Sequence, residues 1–162
     1  MIGVGEQAPD FALPGLDGLT YALHEADADG PVLLAIWRST CATCRLAAPY
    51  LSRLNDAYEN LGWTFWVIAQ DDAAGARAFV EAHHFTPTVL VDGPDLAVSR
   101  VYDPETTPTL WLVEPGKGVT LMSEGFSKED LNEISRRVAG YVGAEHVEVA
   151  PDGDGNPRFK PG

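Results

Sequence analysis

The chain has only two cysteines, few basic residues and no long apolar run, and each shortage excludes a class of protein. Two cysteines are too few for a small scaffold held together by disulfides. With 24 acidic residues against 11 basic ones, the net charge is −13. Such a charge repels phosphate backbones and anionic lipid surfaces. No stretch reaches the ~18 apolar residues of a membrane-spanning helix. We therefore expect neither a nucleic-acid partner nor a membrane partner.

The N-terminal sequence also lacks the features of an export signal. Residues 1–7 contain neither the basic region nor the apolar region of a signal peptide. We expect a cytoplasmic protein, and an exported parent whose leader was trimmed is the open alternative. A chain of 162 residues that is 45% hydrophobic can bury one ordinary core. We expect it to be a monomer.

The two cysteines stand two residues apart, in Cys41-Ala42-Thr43-Cys44. They follow a continuous apolar run at 32–37 and precede a helical pattern from about 42 to 61. A dithiol between a buried strand and a helix is typical of a redox motif. The amide groups and the dipole at the start of a helix favour a thiolate. A second thiol two residues on is placed to resolve a mixed disulfide.

The order of predicted elements indicates an α/β domain. Apolar or extended segments at 32–37, 63–69 and 87–91 alternate with helical ones. Two further extended segments, at 109–113 and 119–123, form a hairpin, and a helix at 127–142 follows it. This order predicts a parallel half joined to an antiparallel hairpin, with helices on both faces. A shorter hairpin is predicted at 11–13 and 19–22. Residues 151–162 are polar and rich in proline and glycine, which predicts a mobile tail.

These motifs, in this order, resemble those of the thioredoxin superfamily. The opening at 4–11 is similar to that of AhpC/TSA and Redoxin domains, which the TlpA/ResA-like thiol–disulfide oxidoreductases share. The segments 87–92 and 107–113 are also similar, and the resemblance covers roughly residues 3 to 142. It implies a thioredoxin-like three-layer α/β/α sandwich with a mixed central sheet and an N-terminal β-hairpin extension. The implied division is a domain at 1–145 and a tail at 146–162.

The resemblance also implies roles for individual residues. Cys41 would attack a substrate disulfide and Cys44 would resolve the mixed disulfide, so a redox-active Cys41–Cys44 disulfide would replace any cofactor. The Thr107–Pro108 bond would be cis and face the dithiol, and the backbone of Thr107 would align the substrate chain. The expected partners are a protein disulfide substrate and a thiol electron donor.

The chain departs from the resemblance around the dithiol. No proline lies between the cysteines, and Thr40 stands where many relatives have tryptophan. Ala35 and Ala47 occupy the two positions where relatives carry an acid that accepts the proton of the second thiol. Without a carboxylate, a buried Cys44 should lose its proton more slowly. Water is one alternative acceptor, and Glu105 is another.

Further side chains near the motif allow more than one interpretation. Trp37 is predicted to pack beside the site. Arg38 and Arg45 bracket the dithiol, where they would lower the thiolate pKa or attract an acidic substrate, or would be ordinary surface cations. The four histidines show no ligand spacing relative to the cysteines, so we predict no metal site.

The sequence thus predicts a thiol–disulfide oxidoreductase with a part in cell redox homeostasis, and it leaves two alternatives. The first is a thiol-dependent peroxidase with antioxidant activity. Against it, Arg38 occupies the position of the threonine that orients peroxide in peroxidatic members of the superfamily. The second is a non-enzymatic redox sensor or binding module, which the missing carboxylates favour.

Overall fold

The computed structural model describes residues 1–162, and it begins with a short hairpin. Strand β1 (Ala12–Pro14) pairs antiparallel with β2 (Thr20–Ala22), which confirms the predicted N-terminal hairpin. A helix that the sequence did not predict, α1 (Leu23–Asp29), follows at once. Its only buried residue is Leu23, so its sequence carries no apolar periodicity that would reveal a helix.

Five further strands form the central sheet. They are β3 (Val32–Trp37), β4 (Thr64–Ala69), β5 (Thr88–Val91), β6 (Thr109–Glu114) and β7 (Gly118–Glu124). Their order across the sheet is β5-β4-β3-β6-β7. β3 is parallel to β4 and antiparallel to β6. Every residue of β3 is buried, as a continuous apolar run in a central strand predicts. The predicted mixed sheet is therefore confirmed.

Helices cover both faces of this sheet. The longer ones are α2 (Ala42–Ala57), α3 (Ala73–His83) and α5 (Lys128–Val142), and a short helix α4 (Ala97–Tyr102) lies between β5 and β6. Side chains of α2, α3 and α5 share one apolar cluster with Leu33, Ala35 and Trp37 of β3. The residues that alternate with these in β3 pack with the hairpin, α1 and α4 on the other face. The architecture is the expected three-layer α/β/α sandwich.

Helix α2 is shorter than the sequence predicts. It contains Pro49 and ends at Ala57, with Tyr58 as its C-cap, instead of continuing to about residue 61. Gly62 lies in the turn that follows, with φ +84°. Tyr58 is fully buried, and its hydroxyl bonds to Ser135 of α5 at 2.7 Å. Tertiary packing at Tyr58 thus coincides with the helix end.

The C-terminal segment, predicted to be a mobile tail, packs on the domain. Val149 and Ala150 belong to the apolar cluster under α2 and α5. Strand β9 (Phe159–Lys160) pairs antiparallel with β8 (Phe126–Ser127). Two small apolar residues inside an otherwise polar segment bury against the helices, while their flanks stay largely exposed. No helix of the chain has the length and apolarity needed to cross a membrane.

Candidate active site

The dithiol lies where the central strand β3 leads into α2. Cys41 is the N-cap of α2, and its Sγ accepts a hydrogen bond from the backbone N–H of Cys44 at 3.2 Å. A sulfur in this position meets the unpaired amides of the first helical turn. The predicted strand–dithiol–helix arrangement is therefore present, and both cysteines are thiols.

The loop between β3 and the dithiol is tied to the end of β4. The backbone N–H of Ser39 donates to Asp71 Oδ2 at 2.9 Å, and the Ser39 hydroxyl also bonds to the Asp71 carboxylate. Arg38 donates twice to Gln70 Oε1, at 2.8 and 3.1 Å. Since parallel neighbours β3 and β4 end at the same edge of the sheet, these contacts link the loop before Cys41 to the residues that follow β4.

The two thiols differ in exposure and in acidity. Cys41 is half-buried, whereas Cys44 is 3% exposed. Burial opposes ionisation of Cys41, but hydrogen bonds from the side chains of Cys44 and Thr107 and from the backbone of Cys44 and Thr43 outweigh it. Its pKa therefore falls below the ordinary value of a thiol. Burial, together with the neighbouring Cys41, raises the pKa of Cys44 strongly.

The Thr107–Pro108 segment faces Cys41. Its peptide bond is cis, and Pro108 is buried. The Cys41 thiol donates a hydrogen bond to the carbonyl oxygen of Thr107 at 3.1 Å. Two segments that are 66 residues apart in sequence thus meet at the sulfur. The arrangement places the half-buried sulfur of Cys41 beside the backbone of the Thr107–Pro108 segment.

No carboxylate supports ionisation of Cys44. Ala35 and Ala47 are both buried in the same apolar cluster as this cysteine. Glu105, the carboxylate that we considered as an acceptor, is exposed. The groups that lower the pKa of Cys44 are the Arg38 backbone and the Thr107 side chain, and no acid is among the groups that shift it. The raised pKa keeps the second thiol in its neutral form at neutral pH.

The other predicted site residues surround the dithiol in different ways. Trp37 is buried, and its ring lies 4.1 Å from that of Phe79, centroid to centroid. Arg45 is exposed and donates to the backbone oxygen of Ser39 at 3.1 Å, and Thr40 is exposed as well. Neither Arg38 nor Arg45 is a cause of the lowered pKa of Cys41. The structure thus places Arg45 as a support of the loop before the motif.

Two residues that sequence reasoning did not single out contribute to the site. Asp71 anchors the loop at Ser39, while the neighbouring Asp72 caps α3. Thr43 is 4% exposed, and its hydroxyl donates to the carbonyl oxygen of Pro161 at 2.8 Å. The contact of Thr43 spans 118 residues of sequence, so no local pattern announces it.

The chain has no group of three or more histidine, cysteine or acidic side chains placed to hold a metal ion.

Comparison with known proteins agrees with this geometry. The sequence profile of the Redoxin family matches residues 3–133. The chain belongs to the Redoxin family. Over 134 residues it is 27% identical to the thiol-disulfide oxidoreductase ResA of Geobacillus thermodenitrificans, which covers 82% of this chain and 76% of that protein.

Solved structures resemble this Redoxin protein along nearly their whole length. A Chlorobium tepidum crystal structure, described as a thiol:disulfide interchange protein DsbE, has a TM-score of 0.76 at 26% identity. It covers 88% of this chain and 99% of the other. A secreted disulfide oxidoreductase of Mycobacterium tuberculosis, homologous to E. coli DsbE, has a TM-score of 0.65 at 25% identity. That match covers 80% of this chain and 95% of the other. These similarities confirm the thioredoxin-like fold and the TlpA/ResA-like resemblance.

Proposed function

We propose that Cys41 and Cys44 are the redox-active pair of this protein, with Cys41 as the nucleophile. The protein is a thiol–disulfide oxidoreductase of the Redoxin family. The observation that carries the assignment of roles is the contrast between the two thiols. Cys41 is the more exposed and the more acidic, and Cys44 is buried and neutral. The thiolate is the attacking species in disulfide exchange, so the reaction starts at Cys41.

The reaction then proceeds in two exchanges. The Cys41 thiolate attacks one sulfur of a substrate disulfide, a Cys41–substrate disulfide forms, and the other substrate sulfur leaves as a thiolate that takes up a proton. Cys44 gives up its proton and attacks the sulfur of Cys41. A Cys41–Cys44 disulfide forms, and the second substrate sulfur leaves as a thiol. The pair gains a disulfide and the substrate loses one, so a thiol donor must return two electrons before the next cycle.

The family and its relatives imply protein substrates and thiol redox partners in general. Within that class, we propose that the substrate is a protein that contains a disulfide. An extended segment of this protein is aligned by the backbone of Thr107. The net charge of −13 supports the absence of nucleic-acid and membrane partners. A monomer in the cytoplasm remains the prediction from the sequence. No cofactor is needed beyond the disulfide of the pair itself.

Turnover with a protein disulfide tests the proposal. Reduction of insulin with a dithiol donor should proceed with the wild-type protein and fall to the background rate in Cys41→Ser. Cys44→Ser should react once and then stall as a mixed disulfide. Wild-type turnover no faster than that of Cys41→Ser would refute the assignment.

The same samples address the two alternatives. A thiol-dependent peroxidase would consume hydrogen peroxide faster than it reduces insulin, and it would do so with Cys41 alone. A redox sensor or binding module would form the Cys41–Cys44 disulfide without multiple turnover. The proposed oxidoreductase predicts turnover of insulin with both cysteines required and peroxide consumption near background.

A further inference from the structure

Residues 161 and 162 lie against the same backbone that faces Cys41. The carbonyl of Pro161 accepts a hydrogen bond from Thr43, which stands between the two cysteines. Gly162 lies so close to the loop before β6 that a Cβ built on it would come within 2.5 Å of the Thr107 carbonyl oxygen. That oxygen is the atom to which the Cys41 thiol donates. The chain end and the nucleophile therefore share one neighbour.

Contacts with residues 125 and 126 place residues 159–162 in this position. Lys160 pairs with Phe126 in the short β8–β9 ladder. Gly125, with φ +73°, allows the close approach, because a Cβ there would lie 2.5 Å from the Lys160 carbonyl oxygen and 3.0 Å from the Gly162 nitrogen. The N–H of Gly125 also donates to the Pro108 carbonyl at 2.8 Å. One glycine thus links the cis-proline segment to the chain end.

The residues upstream hold this segment in register. Lys128 is 2% exposed, and its Nζ donates to the Pro151 carbonyl at 2.8 Å, to Asp154 at 2.6 Å and to the Asn156 carbonyl at 3.2 Å. The chain that leads to residue 159 is therefore fixed by a buried cation. Residues 159–162, in contrast, are largely exposed. The buried anchor therefore lies upstream of the segment that approaches Cys41.

We propose that residues 159–162 form a strap that occupies the place of a substrate strand beside Cys41, with Thr43 as its latch. This inference rests on the proposed function, because the strap matters only if an extended substrate uses the Thr107 backbone. A tethered segment competes at a high effective concentration, so an extended substrate must displace it. A small disulfide that needs no strand position is less affected. Thr43 has this role because its hydroxyl donates to the carbonyl oxygen of Pro161.

Competition between the strap and a substrate strand predicts a change in the ratio of two rates, one with an extended disulfide and one with a small disulfide. Binding to a site that is open only part of the time is slowed in proportion to the open fraction. If the strap is closed most of the time, removing it raises the rate with an extended disulfide more than about threefold. Thr43→Val removes one neutral hydrogen bond, which shifts the closed–open equilibrium about 2- to 10-fold.

The experiment compares two disulfides in each of four proteins. The proteins are the wild type, a chain ending at Arg158, Thr43→Val and the control Thr20→Val, which lies on the exposed N-terminal hairpin. Each reduced protein is mixed with insulin and, separately, with hydroxyethyl disulfide, and the rate of Cys41 oxidation is measured. The ratio of the two rates does not depend on the fraction of folded protein, so a loss of stability on truncation does not obscure the result.

The strap predicts that the insulin-to-small-disulfide ratio rises more than threefold in the truncated chain, rises less in Thr43→Val and is unchanged in Thr20→Val. A ratio that stays constant or falls in the truncated chain would overturn the strap. A rise on truncation with none in Thr43→Val would overturn the latch. A wild type that oxidises with neither disulfide would refute the proposed function itself, and the strap would fall with it.

Discussion

The thiol of Cys41 donates a hydrogen bond to the backbone carbonyl of Thr107 at 3.1 Å. This contact joins the start of α2 to the cis-proline segment before β6, so the nucleophile and the backbone that would receive a substrate strand are positioned together. When Cys41 ionises, this donor is lost, while the donor from the Cys44 backbone at 3.2 Å remains. The site therefore keeps its thiolate-binding amide in the reactive form.

The first prediction concerns the acidity of Cys41. Because hydrogen bonds outweigh burial, the pKa of Cys41 lies below the ordinary value of a thiol. Thiolate forms as the pH rises through this pKa, so alkylation by iodoacetamide should reach half of its maximal rate at a lower pH than alkylation of the cysteine in a short unstructured peptide. In Cys44→Ala the side-chain donor is gone, and the midpoint should move to higher pH.

The control for this measurement is Cys41→Ser. Since Cys44 is 3% exposed and its pKa is raised, this variant should show almost no alkylation at neutral pH. A wild-type midpoint at or above the value of a free thiol would contradict the assignment of Cys41 as the activated cysteine. So would a midpoint that is the same in Cys44→Ala.

The second prediction tests whether the C-terminal segment is part of the fold. Val149 is 0% exposed and Val147 is 39% exposed, although they stand two residues apart. Val149→Ala removes two buried methyl groups, each worth about 0.8 kcal/mol. The free energy of unfolding should therefore fall by about 1.6 kcal/mol, and by more if a cavity remains. The matched change Val147→Ala should cost much less. Urea unfolding measures both, and equal effects would show that the segment is not packed in solution.

The third prediction concerns the pH dependence of the same segment. Hydrogen bonds from Lys128, from the Tyr50 hydroxyl and from the Asn156 backbone hold the pKa of Asp154 well below its usual range. A depressed carboxyl pKa stabilises the fold above the unfolded value of about 3.9, and this contribution is lost as the pH falls through the folded pKa. Asp154→Asn should therefore lower the melting temperature at pH 7.

The difference in melting temperature between the wild type and Asp154→Asn should be constant from about pH 5 to 7 and become smaller below about pH 4. Thermal unfolding followed by circular dichroism across this range gives the answer. Asp152→Asn is the matched control, because Asp152 is exposed in its ion pair with Arg158 and should have little effect on stability. A difference in melting temperature that widens towards low pH would contradict the role of the Lys128–Asp154 ion pair.

Much of the fold follows from the sequence because its strongest signals are local. The continuous apolar run at 32–37 requires a strand buried on both faces, and it became the centre of the sheet. Asp72 and Ser127 cap α3 and α5, each accepting a hydrogen bond from a backbone N–H three residues further along the chain. Signals of this kind depend only on residues that are close in sequence, so the sequence alone is enough to predict them.

The features that could not be predicted depend on contacts that are distant in sequence. The packing of Val149 and the bond from Thr43 to Pro161 need the folded α2 and α5 as a surface. A polar segment rich in proline and glycine gives no local sign of such docking. The anchoring of Ser39 by Asp71 likewise depends on the parallel pairing of β3 and β4. The Cys-x-x-Cys motif located the site, and long-range contacts determine its surroundings.

The most direct test of the account is to trap the first exchange with Cys44→Ser. This variant is mixed with a peptide that contains one disulfide, quenched with acid and mapped by mass spectrometry. We predict a stable adduct of one peptide on Cys41, whereas the wild type should release reduced peptide and form the Cys41–Cys44 disulfide. No adduct on Cys41, or release of reduced peptide by Cys44→Ser at the wild-type rate, would contradict the roles assigned to the two cysteines.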